Sequence, residues 1–294
     1  MSTPLCSIVV PSFHQGQWIE SALQSLLLQN DPALEIIIVD GGSTDGTRAV
    51  LERYRSRLTA CIIEPDKGQA DALAKGFDLA RGDILGWLNS DDMHLPWTLA
   101  TMRDAFAADP KLDVVHGDRV IIDAEGRITG HCCLPLHSAY LLSRWPRTNQ
   151  ETCFWRRQIW ERVGGINREM RFAMDYDLFA RLFAAGRCRH LRRHLGAFRW
   201  HSASKSFNQQ TTIGSEEMAL VRTRYGCTPT AWEYPIGVAF SVAVRACSRL
   251  APLVPLVGDT RAPVGHNIAT LWTSLRDAAT VQASNSARPC NLQA

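Results

Sequence analysis

Four short apolar runs in the first ninety or so residues, each followed by a stretch with helical spacing, constrain this chain more than any other feature. Ser7 to Pro11 (SIVVP), Glu35 to Asp40 (EIIIVD), Ala60 to Glu64 and Asp83 to Leu88 read as buried strands bounded by Gly and turn residues. Between them, Trp18 to Gln29 carries Ile19, Leu23, Leu26 and Leu27 at helical spacing, and Val50, Leu51, Tyr54 and Leu58 mark a second amphipathic helix. Asp66 to Gly82 reads as a third helix, entered through a Gly turn, and Leu95 to Ala108 as a fourth. Strands alternating with helices at this spacing predict βαβ units and a parallel sheet.

After Pro110 the rhythm changes. Val114 to Asp123 predicts a strand turning through Ala124–Gly126 into Arg127 to Gly130, and His131 to Gln150 reads as loop. A short strand at Cys153 to Arg156 precedes a helix around Trp160 that Gly164 and Gly165 end. Met174 to Ala185 predicts a further helix, and Arg189 to Trp200 a strand leading to His201. Trp232 to Val257 is apolar and Pro-rich, Ile268, Leu271, Trp272 and Leu275 form an apolar helical stripe, and the last fifteen or so residues read as a disordered tail. The expected class is therefore α/β, a mixed and mostly parallel sheet flanked by helices with a C-terminal helical extension. The expected division is 1–224, with halves at about 1–110 and 111–224, followed by an extension over 225–294.

Composition narrows the function. A net charge of +3 is too small to argue for nucleic acid as a partner. Nine scattered cysteines with no CxxC pair suit reduced thiols in a cytosol, not a disulfide framework or a zinc site. The N-terminus lacks the pattern of a signal peptide, so a cytoplasmic location is expected. No run is long enough to be read as a spanning helix; Pro235 to Val257 comes nearest, and Arg245 and Arg249 interrupt it. Such a segment suits an interfacial helix, a helix packed on the main domain, or an oligomer contact.

The chemistry concentrates at Gly86 to Asp92 (GWLNSDD), where an apolar strand ends in adjacent carboxylates. Open α/β sheets bind ligands just past such strand ends, and oxygen-rich side chains there suit a hard divalent cation that a diphosphate can bridge. A Ser-Asp helix cap is the structural alternative. Asp40 also ends a strand, and its carboxylate can accept from a uracil-type N–H. Asp45 is expected to be mainly structural. Gly68 lets the backbone approach a ligand, Asp71 is expected to face the nucleotide, and Lys67 suits either a ligand contact or a solvated charge.

Taken in order, VPSFHQGQWIESALQSLLLQ, VDGGSTDGT, EPDKGQADALAKGF, GDILGWLNSDD, TCFWRRQIWERVGG, AMDYDLFARL and FRWHSASKS make the chain resemble the inverting glycosyltransferases of family 2. The resemblance runs from about Ser7 to about Lys205, and its motifs look most like those of bacterial exopolysaccharide and O-antigen enzymes. It implies a GT-A fold, Rossmann-like, and a sugar moved from a nucleotide-diphosphate donor, UDP above others, to a saccharide or polyprenyl-linked acceptor. By that resemblance Asp40 contacts the base, and Pro11, Ser12 and Phe13 line the same pocket with Gly68 and Asp71. The family's DxD becomes Asn89–Ser90–Asp91 here, so Asn89 and Ser90 face the donor while Asp91, then Asp92, bind Mn2+ or Mg2+, with His201 as a late metal ligand. Arg199, Ser202, Ser204 and Lys205 are placed to meet diphosphate oxygens. Asp175 matches the family's general base, with Met174 where a Glu is usual; a base is worth about 10²- to 10⁴-fold.

Asp177 is read instead as a helix N-terminal charge. Gln150 and Glu151 are expected to face the acceptor. Arg156 and Arg157 suit solvated strand-end charges, and Trp145, Trp155 and Trp160 suit either sugar stacking or the core. Two other functions fit parts of the pattern. A sugar-phosphate nucleotidyltransferase would want a Gly-rich basic loop near the N-terminus, which VPSFHQGQW is not. A catalytically silent nucleotide-sugar-binding protein is left open by Asn89 and Met174. Peripheral contact with the inner membrane face is a further expectation.

Overall fold

The computed structural model describes residues 3–208, 211–253 and 264–268. In chain order the elements are β1 (Cys6–Ser12), α1 (Ile19–Leu27), β2 (Leu34–Asp40), α2 (Thr47–Tyr54), β3 (Ala60–Ile63), α3 (Gln69–Leu79) and β4 (Ile84–Trp87). Then come β5 (Met93–His94), α4 (Thr98–Ala108), β6 (Val114–Ile122), β7 (Ile128–Cys132), α5 (Ala139–Arg144), β8 (Phe154–Arg156) and α6 (Arg157–Val163). The rest are α7 (Met174–Ala185), β9 (Cys188–Arg199), α8 (Lys205–Asn208), α9 (Ile213–Arg224) and α10 (Tyr234–Leu250).

The strands form one mixed sheet in the order β3-β2-β1-β4-β8-β6-β9-β5, with β7 added on β6. The first four are mutually parallel, as the βαβ rhythm predicts. Antiparallel β8 then pairs both β4 and β6, and β6 runs parallel to β9. Strand alternation divides the core. Ile8, Val10, Ile36 and Ile38 face a cluster with Leu23, Leu51 and Met102, whereas Val9 and Ile37 face Leu73, Phe77, Trp155 and Phe179 on the opposite side. Burying each such side chain is worth about 1.5–3 kcal/mol, which sets the strand register, since a one-residue slip would reverse every face.

Three details differ from expectation. The stretch 131–150 is not all loop: α5 starts at Ser138, whose side chain accepts from the Leu141 N–H. Six residues are too few to show a helical period. Helix α9, whose polar composition hides its face, has only Gly214 and Val221 buried. Residues 93–94 pair with β9 as a two-residue strand, so α4 begins at Thr98. Phe240 and Val244 of α10 join the same apolar cluster as α7. Of the C-terminal stripe only Ile268 falls within the described residues, where its N–H donates to Gly126 O. Leu271, Trp272, Leu275, the tail and residues 254–257 lie outside them.

Candidate nucleotide-sugar and catalytic site

The four parallel strands end on one side, at Ser12, Asp40, Ile63 and Trp87. Strand order reverses between β1 and its two neighbours β2 and β4, which makes this the crevice where open α/β sheets take ligands. Pro11, Ser12, Phe13, Asp40, Asn89 and Ser90 lie at these ends or just beyond them, Gly68 and Asp71 lie at the start of α3 after β3, and Arg199 to Lys205 come in from β9.

Asp40 itself is not available to a base. It is 0% exposed, and its oxygens accept from the Gly42 and Ser43 N–H groups and the Ser43 hydroxyl. The strand-end position was legible, but the following turn consumes the carboxylate, so its assignment to the base is corrected. Next to it, Gly41 has room for no side chain: an ideal Cβ would lie 2.7 Å from Asp66 Oδ2 and 3.2 Å from the Phe13 ring. Asp66 thus holds a carboxylate over Gly41 beside Phe13, whose ring is 57% exposed. Its other oxygen accepts from the Gly68 N–H, and Gly68, at φ +114, makes the turn into α3. Asp66 was missed from sequence because its role depends on the empty Cβ position of a residue in another loop. Pro11 and Ser12, just before Phe13, are buried, and Ser12 Oγ has no partner among the described residues. Asp71 pairs with the Lys67 N–H, Lys75 and Arg168, so its contact is with its own loop and helix and with the segment before α7. Asp45 braces the entry to α2, accepting from Gly16 and Thr47.

At the end of β4, Asn89 Oδ1 accepts from Gln69 Nε2, and Asn89 Nδ2 donates to Asp92 Oδ2. Ser90 is buried. Asp91 Oδ2 lies 3.0 Å from His201 Nε2, two residues from distant parts of the chain brought together as expected. His201 is buried against the Trp18 ring, 3.9 Å between centroids. Adjacent ligands of a six-coordinate Mg2+ or similar ion lie about 3 Å apart, so this pair fits two such positions. Among the described residues no group of three or more His, Cys, Asp or Glu is arranged to hold a metal.

Asp92 corrects the expectation that it joins this pair. It is 1% exposed, its oxygens take the Arg199 N–H and Asn89 Nδ2, and burial, then Asp91 and Glu151, push its pKa well above the ordinary range. Arg199 is likewise structural, donating to the carbonyls of Asp91, Asp123 and Ala124. Lys205 is different. Its ammonium reaches Gln69 Oε1 and the Arg171 carbonyl, and burial of that ammonium lowers its pKa against the pull of Asp66, Glu217 and Asp175.

Asp175 begins α7 and is half-buried. Burial raises its pKa, opposed by the Tyr176 N–H and the Arg119 charge and helped by Glu151. Gln150 and Glu151 do not face outward as expected. Gln150 Nε2 donates to the Trp87 carbonyl, and Glu151, 1% exposed, pairs with Arg119 at 3.3 Å. They form the floor, because the turn Gln150–Thr152 is wedged between β4, β6 and β9. Arg119, unremarked in the sequence, influences both Asp92 and Asp175. Asp177 is fully buried and bound by Arg181 at 2.5 Å and by the Tyr225 hydroxyl. Trp155 and Trp160 stack on each other and meet Phe77 at a tilt, and Trp145 packs on Gly237, so all three are core. Arg156 and Arg157 are not solvated; their guanidinium groups cap the carbonyls of Leu112, Phe106, Gly82 and Ala80.

Residues 7–176 match the domain described as glycosyl transferase family 2. Among curated proteins, chondroitin synthase of Escherichia coli is 30% identical over 194 residues, 64% of this chain; the match spans only 28% of that protein's length. The fold resembles S. aureus TarS 1-349 in complex with UDP-GlcNAc, with a TM-score of 0.56, 18% identity and coverage of 96% of this chain and 89% of that one. It also resembles mannosyltransferase PcManGT from Pyrobaculum calidifontis in complex with GDP-Man and Mn2+, with a TM-score of 0.58, 19% identity and coverage of 98% and 77%.

Proposed function

Since this chain belongs to glycosyl transferase family 2 and has the GT-A architecture, we propose that it transfers a sugar, with inversion, from a nucleoside-diphosphate donor to a hydroxyl of a saccharide or lipid-linked acceptor in bacterial polysaccharide assembly. The observation that carries this reading is the Asp91–His201 pair, 3.0 Å apart, which joins the chain just past the end of β4 to the segment after β9 beside the crevice where β1 to β4 end. Asp175 shares Arg119 and Glu151 as electrostatic neighbours with Asp92, which ties it to the same site.

Each residue then has a task. The base stacks on Phe13, and Asp66 Oδ2 accepts from its N–H, which favours uracil and disfavours bases that offer an acceptor at that edge. Lys205 and the first N–H groups of α3 face the diphosphate, as a helix N-terminus does for anions. Asp91 and His201 would hold a divalent cation, which when bound would supply charge to neutralise the departing diphosphate. Asp175 accepts the proton of the attacking hydroxyl, and its raised pKa makes it the stronger base. Glu151, buried and paired with Arg119, is the poorer candidate for that proton.

The test is a thermal-shift panel of UDP, GDP, CDP and ADP with and without Mn2+. UDP with Mn2+ is expected to raise Tm most. Asp91→Ala should abolish the metal-dependent part, and Asp66→Asn should narrow the gap between UDP and CDP. An Asp91→Ala protein with an unchanged metal response would overturn the metal assignment.

A further inference from the structure

Helix α10 presents two apolar faces. Residues Glu233, Gly237, Phe240 and Val244, at three- and four-residue spacing, are buried against the domain. The outward face carries Val238 (63% exposed), Val242 (58% exposed) and Leu253, with Trp232 (69% exposed) and Leu250 to one side of it and Ile236 between them and the buried face. Arg245 and Arg249, one turn apart, flank this outward face. No Asp or Glu occurs between Tyr234 and Leu250, and the neighbouring Glu233 is turned inward. The feature therefore combines exposed aliphatics, interfacial aromatics (Trp232, Tyr234) and cations of one sign.

With its 3-10 flanks the apolar segment runs from Ala231 to Leu253, 23 residues, long enough to cross a bilayer. Its attachments argue against crossing. Ser248 Oγ accepts from the Cys133 N–H near one end, Trp145 covers Gly237, and Glu233 accepts from Arg144 Nε and the Tyr140 hydroxyl at the other. A helix fastened along its whole length to a globular domain can only lie flat.

We propose that α10 is the surface by which this protein docks, in plane, on an anionic lipid bilayer. The arginines supply the complement to anionic headgroups, which favours lipid over a second copy of a face that carries the same cations. The position deepens the transferase reading, on which this part rests. Glu233 holds α5 through Arg144 and Tyr140, and α5 in turn accepts, at the Ser143 carbonyl, the hydroxyl of Tyr176, the neighbour of Asp175. A transferase held on a bilayer meets the acceptors that the bilayer carries, so an acceptor carried on a lipid is the class that fits.

The experiment is co-sedimentation of the full chain with vesicles of phosphatidylcholine, with and without phosphatidylglycerol. The native protein should pellet with the phosphatidylglycerol vesicles and be released by salt. Val242→Glu/Leu250→Glu should lower the bound fraction by about tenfold or more. Arg245→Gln/Arg249→Gln should weaken binding by about fivefold per arginine and remove most of the salt dependence. Each variant should keep the native melting temperature and the UDP-dependent shift, since none of these residues touches the site. A native chain that stays in the supernatant overturns the proposal. So does a native oligomer that Val242→Glu/Leu250→Glu dissociates without any lipid binding, which would assign the face to a second copy. Vesicle binding needs no donor, so loss of the UDP shift in the native protein would strike the transferase reading and leave this test intact.

Discussion

Asp175 and Asp177 stand two residues apart on α7 and lead opposite lives. Asp175 is half-buried at the helix start with a pKa raised by burial, whereas Asp177 is sealed in the core by Arg181 and Tyr225. Asp175→Asn keeps the shape and loses the proton site, so transfer should fall by roughly 10²-fold or more while UDP affinity measured by calorimetry stays near native. A base works only when ionised. Raising its pKa therefore moves the acidic limb of the kcat/KM profile upward, above the 3.8 of an ordinary Asp, and that limb should vanish from the residual activity of Asp175→Asn. An Asp175→Asn enzyme with native turnover would remove the base. Asp177→Asn fails differently. It leaves the Arg181 charge buried without its partner, and urea unfolding should show a loss of about 3 kcal/mol or more. The helix-dipole reading of Asp177 from sequence was too mild, because nothing local reveals that Tyr225 and Arg181 close over it.

At the scale of elements, the contact of α10 with the domain turns on one glycine. A Cβ at Gly237 would fall within the Trp145 indole, so the helix can approach α5 only while that position stays bare. Gly237→Ala should cost about 1–3 kcal/mol by displacing Trp145, seen as a lower urea midpoint with an unchanged slope. An equal or higher midpoint would mean that the indole has somewhere else to go. Elements with strong period were legible in advance: β1, β2, β6 and α7 lie within a residue or two of expectation, since each buries a whole face. Those with weak period were not. The six-residue α5 and the polar α9 exist because tertiary neighbours complete them, through the Tyr176 hydroxyl donating to the Ser143 carbonyl in one case and Glu217, which accepts the N–H groups of Arg171, Phe172 and Ala173, in the other.

Across the whole molecule, buried histidines make stability depend on pH. Burial depresses His94 to about 4, and burial with His131 nearby depresses His194 to about 4. Their contribution is fully present above the ordinary histidine value of 6.5 and is lost as pH falls from there toward 4, because the unfolded chain binds the proton first. The unfolding free energy should thus decline by up to about 1.4 kcal/mol per pH unit per histidine in that window. The raised pKa of Asp175 acts in the opposite sense, so the difference between native and His94→Gln is the cleaner measure. His94→Gln can keep a bond to the Glu151 carbonyl and should show a shallower acid slope; an identical slope would exclude His94 as a contributor.

What the chain determined by itself was its sheet and the place of its chemistry. Period-two and period-3.6 patterns depend only on which face meets water, so the βαβ half, the strand ends at Asp40 and Asn89 and the polar cluster through Asp91 were readable one residue after another. The tertiary structure decided which of those polar groups remain free to act. Asp40 and Asp92 are spent on their own turns and neighbours, Gln150 and Glu151 become floor, and Asp66 gains its place from the missing side chain of Gly41. A carboxylate's role is set by which donors reach its oxygens first, and at Asp91 and Asp92 the deciding partners come from far along the chain: Arg199 reaches Asp92 across 107 positions, and His201 reaches Asp91 across 110. No local pattern encodes that competition, because it is settled only when the sheet has closed.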